Sequence, residues 1–179
     1  RTLRGVLVRS RLPYSPAGLL VVGGQIHRVS ASGGTGALAD VVVSGDSAAP
    51  ALAAGDPVAA RQLDALGFSD RIRVARSIAI AQFLQDIDQV VESGSAWELD
   101  SFGQQARYLP GGVIRGLQGE GLLVVSGDLR LEGQVDFAGV MLVEGTLELA
   151  SDHCRIRGFV QVHAMQVHAA CTFRRDLVA

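Results

Sequence analysis

The residues best suited to chemistry lie near the C-terminal end of the chain. Cys154 and Cys171 are its two cysteines, and His153, His163 and His168 lie beside or between them. Cysteine and histidine are the usual protein ligands of zinc, but their spacing here matches no standard zinc motif, and we expect no metal site. In an oxidising compartment the two cysteines would form a disulfide. The alternative is two free thiols buried in the core.

Acidic residues form the second candidate group. Asp128, Glu132, Asp136 and Glu144 recur along an otherwise apolar stretch. Enzymes of the parallel β-helix class that cut acidic polysaccharides hold carboxylates close together on one outer face. The fold therefore decides whether these residues could be catalytic. Two other signatures are missing from the sequence: a GxxxxGK phosphate loop, which needs lysine, and a G-x-S-x-G nucleophile elbow.

The elements that would position these residues follow a repeat of six. A glycine falls at Gly127, Gly133, Gly139 and Gly145, with two apolar residues at alternate positions in each interval. Alternation with a period of two predicts strands with one buried face. Glycine permits a corner with positive φ or a close approach of two backbones. The repeat predicts a β-solenoid in which three short parallel strands form one coil of about 18 residues.

The same alternation predicts what fills the coil. Two large apolar residues per hexad favour a right-handed solenoid over the left-handed hexapeptide form. The stretch 113–173 is long enough for about three to four coils, the number at which stacking sustains a core. An irregular spacing at 151–158 predicts a bulge or corner loop near Asp152 and His153. The expected core residues are Leu129, Leu131, Val135, Phe137, Met141, Val143, Leu147 and Leu149.

Stacking of coils decides which candidate residues meet. One coil beyond Asp128 lies Thr146, and one coil beyond Glu132 lies Ala150, so no stack of carboxylates forms. We therefore expect no catalytic residue and no cofactor. Arg130 and Glu148, in contrast, would pair across two adjacent coils.

The cysteines are separated by close to one coil. With one residue of slippage, Cys154 and Cys171 would be neighbours in adjacent coils. Such stacking permits the Cα separation below about 7 Å that a disulfide needs.

The first part of the chain has a different pattern. Two short strands are predicted around Gly23-Gly24, and a helix begins at Asp56-Pro57, the preferred order of N-cap and first helical residue. Ser69 could cap a second helix, and a third short helix is one interpretation of the ambiguous segment that starts at Trp97. The apolar stripe of the second helix comprises Ile80, Phe83, Leu84, Ile87 and Val91, which follow helical spacing.

These patterns together predict an α+β chain. Residues 1–110 would form a strand and helix region that covers one end of the solenoid, and residues 111–179 would form the solenoid itself. The chain of 179 residues is 48% hydrophobic and 19% charged, which is typical of globular proteins. Its net charge of −2 gives no general attraction for nucleic acid.

The glycine hexads also carry a family resemblance. The segment 116–160 resembles the C-terminal part of type IV pilus assembly (minor-pilin-like) proteins of bacteria, which typically contain a GxGxLVVxGDLxxxGxxxFxGxxLVxG run. The matching residues are Gly119, Gly121, Leu123, Val124, Val125, Gly127, Asp128, Leu129, Gly133, Phe137, Gly139, Leu142, Val143 and Gly145. More weakly, the hexads resemble those of bactofilins, cytoskeletal β-helices that polymerise end to end.

The resemblance implies a non-enzymatic structural or assembly component of an envelope-associated filament or pilus system. Its partners would be other protein subunits, and its location the periplasm or the cell surface. Such proteins are anchored in the inner membrane by an N-terminal hydrophobic helix. The 179 residues contain no such helix, so either it belongs to the full-length protein and was removed, or the link to the membrane is wrong. The alternatives are a self-polymerising cytoskeletal β-helix of the bactofilin kind and a carbohydrate-binding or carbohydrate-active β-helix.

Overall fold

The computed structural model describes residues 18–28, 41–44, 52–68, 72–79 and 97–174, which are mostly strand and include one short helix. The strands pair in parallel within one eight-stranded sheet. In chain order the elements are β1 (Leu19–Arg28), β2 (Val41–Ser44), β3 (Leu52–Ala54), α1 (Pro57–Ala65), β4 (Arg73–Val74), β5 (Trp97–Leu109), β6 (Gly112–Val125), β7 (Leu129–Val167) and β8 (Cys171–Arg174).

Strands β5, β6 and β7 form successive coils of a parallel solenoid. Leu109 of β5 pairs with Val125 of β6, which pairs in turn with Val143 of β7. Strand β7 continues around the corners of the coil, so its later residues stack on its earlier ones. The His168 N–H, for example, donates to the Leu149 carbonyl with an N···O distance of 2.9 Å. The parallel solenoid predicted from the glycine hexads is confirmed.

The solenoid has about five turns, more than the three to four that the hexads predicted. Part of the difference comes from β5, which pairs along β6 although its sequence lacks the glycine hexads. Each coil has three straight stretches, which we name by their residues in β7: face I (129–132), face II (135–138) and face III (140–143). The corresponding stretches of β6 are 112–115, 117–120 and 122–125.

The interior of the coil is filled by the alternating apolar residues. Each of the eight expected core residues is at most 1% exposed, and all belong to one cluster. In-register pairing places Leu131 beside Ile114 and Met141 beside Leu123. Full burial of one such side chain contributes about 1.5–3 kcal/mol, so the stacked interior is the main source of stability.

The four hexad glycines are used in two ways. Gly133 and Gly139 have φ angles of +69° and +136°, a region that other residues rarely adopt. Gly127 and Gly145 have no positive φ, but they lie where backbones approach closely. A Cβ atom on Gly127 would be 2.5 Å from the Pro110 carbonyl oxygen.

The irregular spacing at 151–158 is absorbed at a corner. The buried Ser151 hydroxyl contacts the carbonyl oxygens of Gly133 and His153, and it accepts a hydrogen bond from the His153 N–H at 3.1 Å. Beyond this corner Gly158 lies over Gly139, so the repeat is one residue longer than in the preceding coil. The coil thus accommodates the extra residue where the sequence predicted it.

The first part of the chain continues the solenoid past its C-terminal strands. Strand β1 pairs with the end of β7, with Leu19 beside Val160, and β3 and β4 follow on the outer side of β1. Strand β2 pairs with β8 in the same way. The strands before residue 68 lie at this end as further strands of the same sheet, whereas β5, which also precedes residue 111, lies at the other end and pairs with β6. Strands from both sides of residue 110 belong to that one sheet.

Helix α1 covers the end at which β1 and β3 lie. Asp56 caps it by accepting hydrogen bonds from the Val58 and Ala59 N–H groups at 2.7 and 2.8 Å, as the Asp-Pro sequence predicted. The helix buries Ala59 and Leu63 in the interior cluster. The helix can lie this close to β1 because Gly24 has no side chain. A Cβ atom at that position would overlap Ala59. We call this end of the solenoid the covered end.

Two helices expected in this part are not confirmed. Residues 72–79 are not helical: they comprise β4 and an extended segment, and the helix stripe at 80–91 lies outside the described residues. The segment from Trp97 forms β5, not a third helix. Pairing with β6 along its length overrides the ambiguous local preference of this segment, because sheet context outweighs intrinsic propensity.

Candidate functional site

The two cysteines are joined across adjacent coils. Cys154 pairs in register with Cys171, their Cα atoms are 4.6 Å apart, and the sulfur atoms form a disulfide. Both side chains point into the interior, where they are 7% and 1% exposed. The disulfide links β7 to β8 and leaves neither sulfur free to bind a metal.

The histidines near the disulfide do not converge. His153 and His163 are exposed, while the His168 Nε2 atom lies 2.7 Å from the Glu148 carboxylate. Among the residues that the structure describes, no three His, Cys, Asp or Glu side chains are placed to hold a metal ion.

The outer side of face I carries a charge ladder, defined as Arg115, Arg130, Glu132, Glu148 and His168. Arg130 binds Glu132 and Glu148 at 2.8 Å each, and Arg115 lies 3.3 Å from Glu132. The hydrogen bond to Glu132, followed by the charge of Glu148, raises the pKa of the Arg130 guanidinium. The pair of Arg130 with Glu148 was predicted from the repeat, while the other members of the ladder were not.

Asp128 binds backbone at a corner. Its carboxylate accepts a hydrogen bond from the Thr146 N–H of the next coil at 2.6 Å. The sequence placed Asp128 opposite Thr146, and the structure makes this a side-chain to backbone link between coils. A side chain at Gly145 would overlap this carboxylate, which explains the glycine there.

Face II carries an open polar groove that the sequence analysis missed. Its volume is about 360 Å³, and it is lined by Gln118, Gly119, Glu120, Gln134, Asp136, Ala138 and Arg157. Asp136 was a candidate carboxylate, and its Oδ1 atom lies 3.4 Å from the Arg157 guanidinium. A constant interval of one coil pairs Gln118 with Asp136, as observed. It does not bring Arg157 to the groove, because an extra residue enters the next coil and places Gly158, the chain neighbour of Arg157, over Gly139.

Face III is apolar on its outer side as well. Val124, Leu142, Leu20 and Ala53 are all buried there, in a second cluster outside the coil. A row of apolar side chains on the outer side of a parallel sheet is buried where another segment covers that side. The residues therefore have a cover on this face.

Part of that cover is the segment 72–79, which we call the strap. Gln161 is the buried polar member of the row, and its amide binds the strap at two points. The Ile78 N–H donates to Gln161 Oε1 at 2.7 Å, and Gln161 Nε2 donates to the Ile78 carbonyl at 2.8 Å. One glutamine in an apolar alternating strand was the only sequence signal for this contact.

The two ends of the solenoid differ. The covered end carries α1 together with β3 and β4. Its outermost strands β2 and β4 also pair on one edge only among the described strands, but they have only four and two residues, against 13 in β5, and such short edges offer little to a partner strand. At the other end lies β5, which pairs with β6 along one edge, and no strand among the described residues pairs with its second edge. A parallel strand with one unpaired edge offers N–H and C=O groups to a further strand. This edge of β5 is the candidate site for a protein partner.

Comparisons with known proteins give no match: no family model, no curated protein and no solved structure matches this chain.

Within the described residues, no helix has the length and apolar character needed to cross a membrane.

Proposed function

We propose that this protein is a non-enzymatic assembly component of a bacterial envelope-associated filament or pilus system. The observation that carries the proposal is the difference between the two ends of the solenoid. One end is closed by α1 and the strands around it, whereas β5 pairs with a described strand on one edge only. Such a unit receives one partner strand at one end, by β-augmentation.

The closed end favours this function over a bactofilin-like polymer. End-to-end polymerisation of a solenoid needs two uncovered ends, so that each subunit extends the sheet of the next. Here α1 places Ala59 and Leu63 against the interior, where the next subunit would have to stack. A protein with one receptive end acts as a terminal or adaptor subunit.

The disulfide supports a location outside the cytoplasm. Disulfides persist in oxidising compartments such as the periplasm and the cell surface, and the structure joins Cys154 to Cys171. We place the protein in one of these compartments. In this proposal, membrane attachment depends on an N-terminal hydrophobic helix beyond the present sequence.

The contacts of the outward carboxylates support a structural role. Asp128 binds a backbone N–H, Glu132 and Glu148 bind Arg130, and Asp136 binds Arg157. Each of these contacts links neighbouring coils or neighbouring residues of one coil.

We also infer a right-handed coil, because two large apolar residues fill each hexad of its interior.

Site-specific photocrosslinking in the source bacterium tests the proposal. A benzoylphenylalanine probe at Gln105 of β5 would report the partner of the unpaired edge. The matched control is the same probe at Leu66, which is 41% exposed beside α1 at the covered end. We expect the Gln105 probe to form a covalent adduct with a different protein, identified by mass spectrometry as a filament or pilus subunit, and the Leu66 probe to form none.

Three results would overturn the proposal. An adduct of only twice the chain's own mass would indicate self-assembly. An adduct from Leu66 alone would place the partner at the covered end. The absence of any adduct from Gln105 in cells with assembled filaments would remove β5 as the docking edge.

A further inference from the structure

We propose that the polar groove on face II binds an uncharged, hydroxyl-rich glycan chain. The groove crosses three successive coils. Gln118 lies beside Asp136 and Glu120 beside Ala138 in the paired strands, and Arg157 belongs to the coil above them. A site built from three stacked coils extends along the solenoid axis, which suits an extended polymer.

The side chains of the groove suit sugar hydroxyls. The amides of Gln118 and Gln134 both donate and accept hydrogen bonds, a carboxylate accepts them, and a guanidinium donates several in a fixed plane. Each hydroxyl of a sugar ring also donates one hydrogen bond and accepts others. The contact of Asp136 with Arg157 at 3.4 Å holds an acceptor and a donor next to each other, as two neighbouring hydroxyls require.

The floor of the groove leaves room for a ring. Ala138 occupies an outward position and has only a methyl group, and it lies beside the longer polar side chains of the lining, while Gly119, in register with the inward Phe137, lines the groove with backbone alone. On face I the corresponding outward positions carry Arg130 and Glu132, which bind each other across the surface. At Ala138 a sugar ring can therefore approach the backbone of the sheet more closely than at these positions of face I.

Spacing and charge narrow the ligand class. Adjacent coils are about 4.8 Å apart, close to the length of one pyranose ring along an extended chain, so successive sugars would meet successive coils. The lining carries two carboxylates, Glu120 and Asp136, and one guanidinium, Arg157. The one guanidinium already contacts Asp136, so the lining offers no surplus positive charge for uronic acids, sulfated sugars or phosphates, and this favours uncharged glycans.

Titration of the isotope-labelled protein with chitotetraose and cellotetraose, followed by amide chemical shifts, tests the proposal. We expect dose-dependent shifts confined to residues 118–120, 134–138 and 157 with at least one of the two probes. The dissociation constant should be on the order of 1 mM, because an open groove leaves much of the ligand in water.

Two variants separate binding from a general effect on the fold. Gln118→Ala combined with Gln134→Ala removes two exposed amides and should weaken binding about tenfold, as expected for the loss of two hydrogen bonds. Arg115→Ala on face I changes an equally exposed side chain outside the groove and should leave the affinity within about twofold.

The proposal is wrong if neither probe shifts the groove residues at 10 mM, roughly ten times the expected constant. It is equally wrong if Arg115→Ala weakens binding as much as the double variant does, or if only tetragalacturonate, an acidic probe, shifts these residues. None of these results bears on the docking of a partner at β5, so the two proposals fail separately.

Discussion

Gly139→Ala should destabilise the solenoid more than alanine does at any of the other three hexad glycines. The glycine has a φ of +136°, and it lies between two further glycines in adjacent coils, Gly121 below and Gly158 above. A Cβ atom on Gly139 would overlap the Gly121 carbonyl oxygen, and one on Gly158 would overlap the Gly139 carbonyl oxygen. The corner is therefore built from three stacked glycines.

The expected cost has two parts. A residue other than glycine held in this region of φ costs about 1–3 kcal/mol. The overlap with a backbone atom, which cannot rotate away as a side chain could, adds about 1–3 kcal/mol as in other overpacked sites. The sum of about 2–6 kcal/mol is a large share of the roughly 5–15 kcal/mol that stabilises an ordinary domain.

Gly133→Ala is the matched control. Gly133 is also a corner glycine of the same coil, with a φ of +69°, but the atom nearest to an added Cβ is the Gly116 nitrogen at 3.5 Å. Only the left-handed conformation is penalised there, at about 1–2 kcal/mol. Both sites have positive φ, but an added Cβ overlaps a backbone atom only at Gly139, so the difference between the two variants reports this overlap together with the larger strain of the +136° conformation.

Guanidinium unfolding followed by circular dichroism measures both variants. We expect the midpoint to fall in the order wild type, Gly133→Ala, Gly139→Ala, with an unchanged slope, because the same surface is exposed on unfolding. The reasoning is refuted if Gly139→Ala costs less than Gly133→Ala. That result would mean that the backbones of adjacent coils move apart at this corner at little cost.

Three further changes test the interior, the disulfide and the strap. Leu131 is 0% exposed, so Leu131→Asp should destabilise the protein by about 4 kcal/mol or more, because it buries an unpaired charge. A melting curve like that of the parent would show that Leu131 does not face inward. The double variant Cys154→Ala, Cys171→Ala should lower the free energy of unfolding by about 3 kcal/mol, the loop-closure value for a separation of 17 residues. Alkylation of the parent protein with and without reductant should give different masses, because only the reduced cysteines react. Gln161→Ala leaves the Ile78 N–H and carbonyl without their partner. It should lower the free energy of unfolding by about 1–3 kcal/mol and speed hydrogen exchange at the Ile78 amide. Unchanged exchange there would show that the strap is held by other contacts.

The glycine hexads were sufficient to predict the solenoid because their information is local. Alternation with a period of two specifies which side chains turn inward, whatever the rest of the chain does. Leu129 and Phe137 could therefore be placed in the core from the sequence, and both are buried. The cap of α1 is local in the same sense, since Asp56 binds N–H groups two and three residues away.

Contacts between coils could be predicted only where the repeat stays constant. Arg130 and Glu148 are 18 residues apart and meet as expected. The groove on face II includes Gln118 and Arg157, which no constant interval brings together, because an extra residue enters the coil at the corner before Gly158. Small changes in repeat length, decided at the corners, determine which outward side chains share a surface.

The sequence by itself determined that the chain forms a parallel coil, which residues fill it, and where its first helix begins. Only the tertiary structure decided how the coil ends. Leu19 pairs with Val160, far away in the chain, because the last strands of the coil expose an edge and an open interior that the N-terminal strands and α1 can cover. No local pattern encodes that choice, since any strand of suitable alternation could pair there. The surfaces proposed to bind partners, the β5 edge and the face II groove, depend on the same long-range pairing and register.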